Sequence, residues 1–192
     1  PNTNISRSAN TLSSDGMHLT ANLPAGETGP QDNIHSAFRP RHFQGASMSR
    51  TPVPVVSIEE LEAFTEREFA QVNQDGRVYA ITELGPGFLT LRLDPNERHL
   101  RMGGTVSGPA LFTLADYCAY YVILAHIGLK GLTVTTSFHL DFMRKAAPGP
   151  LFCTCTILKL GQRLVVVSVA IRDGEEDLIA QGSCTYSIPP GE

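Results

Sequence analysis

Residues 107–129 read SGPALFTLADYCAYYVILAHIGL, and the fold turns on this stretch. Asp116 is its one formal charge, and His126 is its other titratable group besides the tyrosines and Cys118. At the front, Gly108 reads as an N-cap, with Ser107 just before it. Pro109 then sits in the first turn, where a missing N–H costs nothing. The helix is expected to run to about His126 and to close at Gly128. A helix apolar nearly all round has to be enclosed. Its length raises a membrane span as an alternative. Its flanking aromatic and basic anchors are weak, however, and strand-patterned segments follow it, which suits a soluble sheet better. A carboxylate inside such a helix is costly unless it is paired, hydrogen-bonded or held for use.

Upstream, Ser57 followed by Glu60 forms a capping box. Ile58, Leu61, Phe64, Phe69 and Val72 then fall within an arc of about 140° at helical spacing, so a first helix with one buried face is expected, ending at residues 73–76. RVYAITELGPGFLTLRLDP reads as two strands joined through Gly85, Pro86 and Gly87. NERHLRMGGTVSG is a loop. Downstream, LTVTTSFHLDFMRK, PLFCTCTILKL, RLVVVSVAIRD and DLIAQGSCTYSI are each β-rich and bounded by Pro, Gly or charge. Simple alternation along the first of these puts Val134, Thr136, Phe138, Leu140 and Phe142 on one face. Thr135, Ser137, His139 and Asp141 take the other. The order helix–β–β–long helix–β–β–β–β predicts an α+β hotdog fold, a curved antiparallel sheet wrapped around one central helix.

Bulk properties limit the partners. The chain has 192 residues, 42% hydrophobic and 18% charged, with a formal net charge of −4. That describes a globular protein, and Lys and Arg are scattered rather than massed, so neither nucleic acid nor a membrane surface is an expected partner. The four cysteines form no CxxC pair, and no His cluster completes a zinc set, so no metal is expected. Reduced thiols and the lack of a signal-like apolar core in residues 1–33 fit a cytoplasmic protein. Residues 1–50, rich in Ser, Asn, Gly, Pro and Thr, read as a polar extension, flexible or packed on a partner. The folded domain is expected over residues 51–192.

SGPALFTLADYCAYYV, VTTSFHLDFMRKAAPG and LKLGQRLVVVSVAIRDGEEDLIAQGSCTYSI together resemble the hotdog acyl-CoA thioesterases of the PaaI-like, phenylacetate-pathway type. That family carries an HGG triplet at the helix start and an acidic residue seven positions after its last glycine. Here Ser107, Gly108 and Pro109 stand in the triplet, and Asp116 falls on the acidic position. The resemblance implies that Asp116 activates water, or attacks directly, at a thioester carbonyl that the Gly108 N–H polarises. It implies that Thr135 helps hold the water. It places Lys159, Gly161, Gln162 and Arg163, with Arg144 and Lys145, near coenzyme A, which is part of the substrate rather than a separate cofactor. Ser107 replaces the family's substrate-positioning histidine, and Pro109 removes one N–H.

Thioester hydrolysis needs a base or nucleophile and a donor aimed at the developing oxyanion. Along one helix, Gly108 and Asp116 are eight residues apart, about 12 Å at the helical rise, too far to share a carbonyl. Two helices packed antiparallel about a two-fold axis would bring Asp116 of one chain near Gly108 of the other, so a homodimer or homotetramer is expected. The blander readings are a structural Asp116, a packed His126, surface roles for His139 and Asp141, and core or interface roles for Tyr117, Tyr120 and Tyr121. Cys153 and Cys155 read as packing residues. The competing functions are a hotdog hydratase or dehydratase, and a non-catalytic acyl-CoA-binding module.

Overall fold

The computed structural model describes residues 51–74 and 76–190. The extension read over residues 1–50 lies outside them. The elements follow the expected order: α1 (Ile58–Glu68), β1 (Tyr79–Gly85), β2 (Phe88–Leu93), α2 (Gly108–Ile127), β3 (Val134–Phe142), β4 (Leu151–Leu160), β5 (Leu164–Asp173) and β6 (Leu178–Ser187). The six strands form one sheet in the order β1-β2-β4-β5-β6-β3, with every neighbouring pair antiparallel. The helix α2 packs on β2, β4 and β5. This is the hotdog arrangement.

Alternation explains the packing. Leu89, Leu91 and Leu93 of β2, Leu151, Cys153 and Cys155 of β4, and Val165, Val167, Val169 and Ile171 of β5 are all buried. They meet Leu111, Leu114, Ala115, Cys118, Val122 and Ile123 of α2 in one core. Each fully buried leucine or isoleucine contributes roughly 1.5–3 kcal/mol. Of the 20 residues of α2, 12 are buried, so the sheet encloses the apolar surface that raised the membrane alternative. The four cysteines are free thiols in this core. Cys118 donates to the Cys153 carbonyl at 3.1 Å, and burial pushes the Cys153 and Cys155 thiols well up. His126 is buried at the end of α2. Its Nδ1 meets the Val122 carbonyl at 2.6 Å, and its Nε2 accepts the Gly87 N–H at 3.0 Å. It is a packed histidine that ties the β1–β2 turn to the helix.

Three local readings change. First, the capping box at Ser57 and Glu60 is present, but α1 stops at Glu68. The chain breaks at Phe69 (φ −141°) and continues as a 3₁₀ turn over Ala70–Asn73. Phe69 therefore leaves the buried face and is 37% exposed. Second, Ser107 rather than Gly108 is the N-cap of α2, because its hydroxyl accepts the Ala110 N–H at 3.3 Å. Gly108 and Pro109 become the first two helical residues.

Third, β3 does not alternate simply. Thr135 pairs with Tyr186 and Ser137 with Thr185, so Thr136 is an extra residue, a β-bulge. The bulge exchanges the faces beyond it. Thr135 turns toward α2, as do Phe138 and Leu140, which pack on the core. Ser137, His139 and Asp141 point away from the helix, and His139 Nε2 lies 3.1 Å from an Asp141 carboxylate oxygen in the open.

Candidate active site

Asp116 lies midway along α2, half-buried. Thr135 Oγ1 donates to its Oδ1 at 2.9 Å, and Tyr186 Oη donates to the same oxygen at 2.5 Å. Tyr186 Oη also lies 3.0 Å from the Asp116 main-chain carbonyl. The two donors come from directly opposed residues of β3 and β6. A carboxylate placed on an apolar helix is thus compensated by two hydroxyls from the sheet, both on Oδ1. Burial pushes the Tyr186 phenol far up, and the neighbouring Asp116 charge pushes it further, so the tyrosine keeps its proton and remains a donor.

The carboxylate opens onto a cleft of about 720 Å³. Phe64 and Phe69, Tyr117 and Tyr120, and Leu132 and Val134 supply apolar walls around Asp116 and Thr135. Tyr117 packs edge-on against Phe69 with ring centroids 5.8 Å apart. Tyr117 and Tyr120 are therefore cleft walls, whereas Tyr121 is in the core, where Thr65 donates to its hydroxyl at 3.2 Å. Burial, and then the Asp116 charge, raise the Tyr117 phenol. Thr133 lines the same cleft, and its buried hydroxyl has no hydrogen-bond partner among the described residues.

The other expected site residues fall elsewhere on the chain. Gly108 lines a separate cleft of about 360 Å³ with Arg101, Leu111, Phe142, Arg144 and Lys145. One chain thus gathers Asp116 with Thr135, and Gly108 with three cations, without joining the two sets. Arg144 is also ion-paired to Asp177 at 2.5 Å. Ser107 is occupied as the cap of α2, and its N–H donates to the His99 carbonyl at 2.8 Å.

Lys159, Gly161, Gln162 and Arg163 lie at the β4–β5 turn and line neither cleft. A Cβ on Gly161 would come within 2.9 Å of the Leu164 carbonyl, and the Gly161 N–H donates to that carbonyl, so this glycine lets the turn close.

Tyr186 escapes a reading by sequence alone. A tyrosine in a strand looks like ordinary β composition, and its partner is 70 residues away. The available signal was its place in β6. It alternates with Cys184 on the buried face, and a buried phenol needs a polar partner.

Comparison with known proteins bears on this geometry. The Thioesterase superfamily pattern matches residues 103–180, a range that includes Gly108, Asp116 and Thr135. A candidate esterase of Pseudomonas aeruginosa is 34% identical over 102 residues, covering 53% of this chain and 74% of that protein. The crystal structure of a candidate thioesterase from Silicibacter sp. TM1040 superposes with a TM-score of 0.66 at 42% identity, covering 73% of this chain and 96% of the other. The PaaI protein of the E. coli phenylacetic acid degradation operon shares the fold at a TM-score of 0.60 and 20% identity, over 69% of this chain and 93% of its own. With its six-stranded antiparallel sheet, its long buried helix and these relatives, the chain belongs to the hotdog-type thioesterase superfamily.

Proposed function

We propose that this protein hydrolyses acyl-CoA thioesters to a free acid and coenzyme A, with Asp116 as general base or nucleophile. The observation that carries the reading is the lone carboxylate of α2, hydrogen-bonded among the described residues through Oδ1 only and opening onto an apolar cleft of about 720 Å³. Oδ2 is left to take a proton from water as the water attacks the thioester carbonyl, the C–S bond then breaking and the proton passing to the departing coenzyme A thiolate; or it attacks that carbonyl itself, expelling the same thiolate and leaving an acyl anhydride that water hydrolyses. Developing negative charge on the carbonyl oxygen then needs a preorganised donor. The Gly108 N–H fits that need, because it lies at the positive end of α2 and makes no helical bond.

A second copy of the chain is required, since Asp116 and Gly108 occupy different clefts. Phe112, Leu132, Val134, Phe142 and Met143 support such a pairing: they are large apolar residues left exposed on α2 and beside or on the edge strand β3. An antiparallel two-fold pairing would set the aromatic cleft of one chain against the cationic cleft of the other. The acyl group then enters between Phe64, Phe69, Tyr117 and Tyr120. The phosphates of coenzyme A meet Arg101, Arg144 and Lys145. The turn carrying Lys159 and Arg163 reaches the nucleotide end.

The test is a panel of acyl-CoA substrates with a thiol-release readout, run on the wild type, Asp116→Asn and Arg163→Ala. Turnover that is lost in Asp116→Asn, with KM raised in Arg163→Ala, is the expected result. Tight acyl-CoA binding without turnover in the wild type would replace hydrolysis with ligand sensing.

A further inference from the structure

We infer that Tyr186 is a positioning residue for Asp116, holding the carboxylate oriented so that Oδ2 is its working oxygen. The inference rests on the reading of Asp116 as base or nucleophile and adds a residue that reading does not contain.

Tyr186 is 1% exposed, and its ring is fixed in the core by β5 and β6. Its register partner across β3 is Thr135. Both hydroxyls converge on one carboxylate oxygen, at 2.5 and 2.9 Å. A carboxylate with a single donor can rotate about its Cβ–Cγ bond and exchange its two oxygens. Two donors from a rigid sheet, approaching Oδ1 together, remove that freedom. The Asp116 carbonyl lies 3.0 Å from the same hydroxyl, so both oxygens within reach of its single proton belong to the residue it orients. A base or nucleophile gains from this, because one oxygen is held by the sheet and the other is kept for the substrate.

The other titratable groups around Asp116 do not supply this function. Tyr117 and Tyr120 lie on its own helix and line the cleft, and Cys184 is on β6. Burial raises all three, so each stays protonated through the neutral range. Glu68 of α1 is a second carboxyl on the cleft, and it accepts from Arg67 at 2.7 Å.

The experiment is kcat and KM for acyl-CoA hydrolysis by the wild type, Tyr186→Phe, Thr135→Val and Asp116→Asn, with Tm recorded for each. Tyr186→Phe keeps the ring and removes only the donor. It is expected to lower kcat by about 10-fold, the scale of one hydrogen bond to a charged group, with KM within about two-fold of wild type. Replacing Tyr186 with 3-fluorotyrosine keeps the donor in nearly the same shape and should hold kcat within about two-fold of wild type. Thr135→Val removes the other donor on the same oxygen and should lower kcat by a similar factor, which decides the matter even if Tyr186→Phe folds poorly. Wild-type kcat in Tyr186→Phe or in Thr135→Val would overturn the inference. Full activity in Asp116→Asn would instead overturn the reading of Asp116 on which it rests.

Discussion

Asp116 was legible because it broke a pattern: one charge in a stretch that otherwise favours burial. The structure shows how the helix tolerates it, through the hydroxyls of Thr135 and Tyr186 on one carboxylate oxygen. If Asp116 is the base or nucleophile, Asp116→Asn should lower kcat by at least about 100-fold, the usual scale for a lost general base. Thr135→Ala should cost less, since one donor on Oδ1 remains. Steady-state kinetics on both variants, with ligand binding measured separately, checks this; near-wild-type turnover in Asp116→Asn would end the mechanism. A neighbouring residue carries a stability prediction. The Thr133 hydroxyl is buried without a partner among the described residues, and an unmet donor in the interior is unfavourable by about 1–3 kcal/mol. Thr133→Val keeps the shape and removes the donor, so it is expected to raise Tm. A lower Tm would mean that this hydroxyl is bonded in the folded protein. Neither Tyr186 nor Thr133 could be singled out from sequence, because each needs the partner, or the missing partner, to be seen.

The elements themselves were readable. Two periodicities, capping residues and turn glycines place both helices and all six strands in order. What they do not reveal is an interruption of the period. The bulge in β3 falls within Thr135, Thr136 and Ser137, three residues that pack equally well facing in or out, so no side chain announces it. Likewise the break of α1 at Phe69 comes before its glycine, since the aromatic ring is used in the cleft wall rather than in the core. The β3–β6 ladder carries a sharper constraint. A Cβ on Gly182 would lie 2.0 Å from the His139 carbonyl oxygen, a backbone atom that cannot swing aside. Gly182→Ala should therefore push β3 off β6, lower Tm, and reduce activity by carrying Thr135 away from Asp116. Thermal unfolding together with thiol-release kinetics tests it, and an unchanged Tm would show that the two strands have room to spare.

At the scale of the whole molecule, composition and charge directed attention to small-molecule chemistry, and the family relationship agrees with that. The expected assembly rests on a length, about 12 Å along one helix between the two groups that the proposed reaction would bring together. The structure adds a matching surface. Edge strand β3 carries Val134 and Phe142 at 55% and 52% exposed, beside Leu132 at 80%. Exposed apolar residues grouped along an unpaired strand edge favour association with a second copy. Light scattering at micromolar concentration is expected to give a dimer or tetramer. Phe142→Lys with Val134→Lys should shift it toward monomer and lower turnover in parallel. A monomer that retains full activity would rule out a site shared between chains.

The bulge at Thr136 also makes the chain unusually forgiving of a change in length at one point. Removing a residue from a regular strand shifts its frame and turns every later side chain inside out. Removing Thr136 would do the reverse: Thr135 would still oppose Tyr186, Ser137 would still oppose Thr185, and Phe138 would still face the core, now in unbroken alternation. A single-residue deletion should therefore yield a folded protein here, whereas deletion of His139, three residues on, should not. Relatives that differ in length by one residue in this strand could keep the same Thr135–Tyr186 pair around Asp116, so an insertion here is one that descent can gain or lose without rebuilding the site.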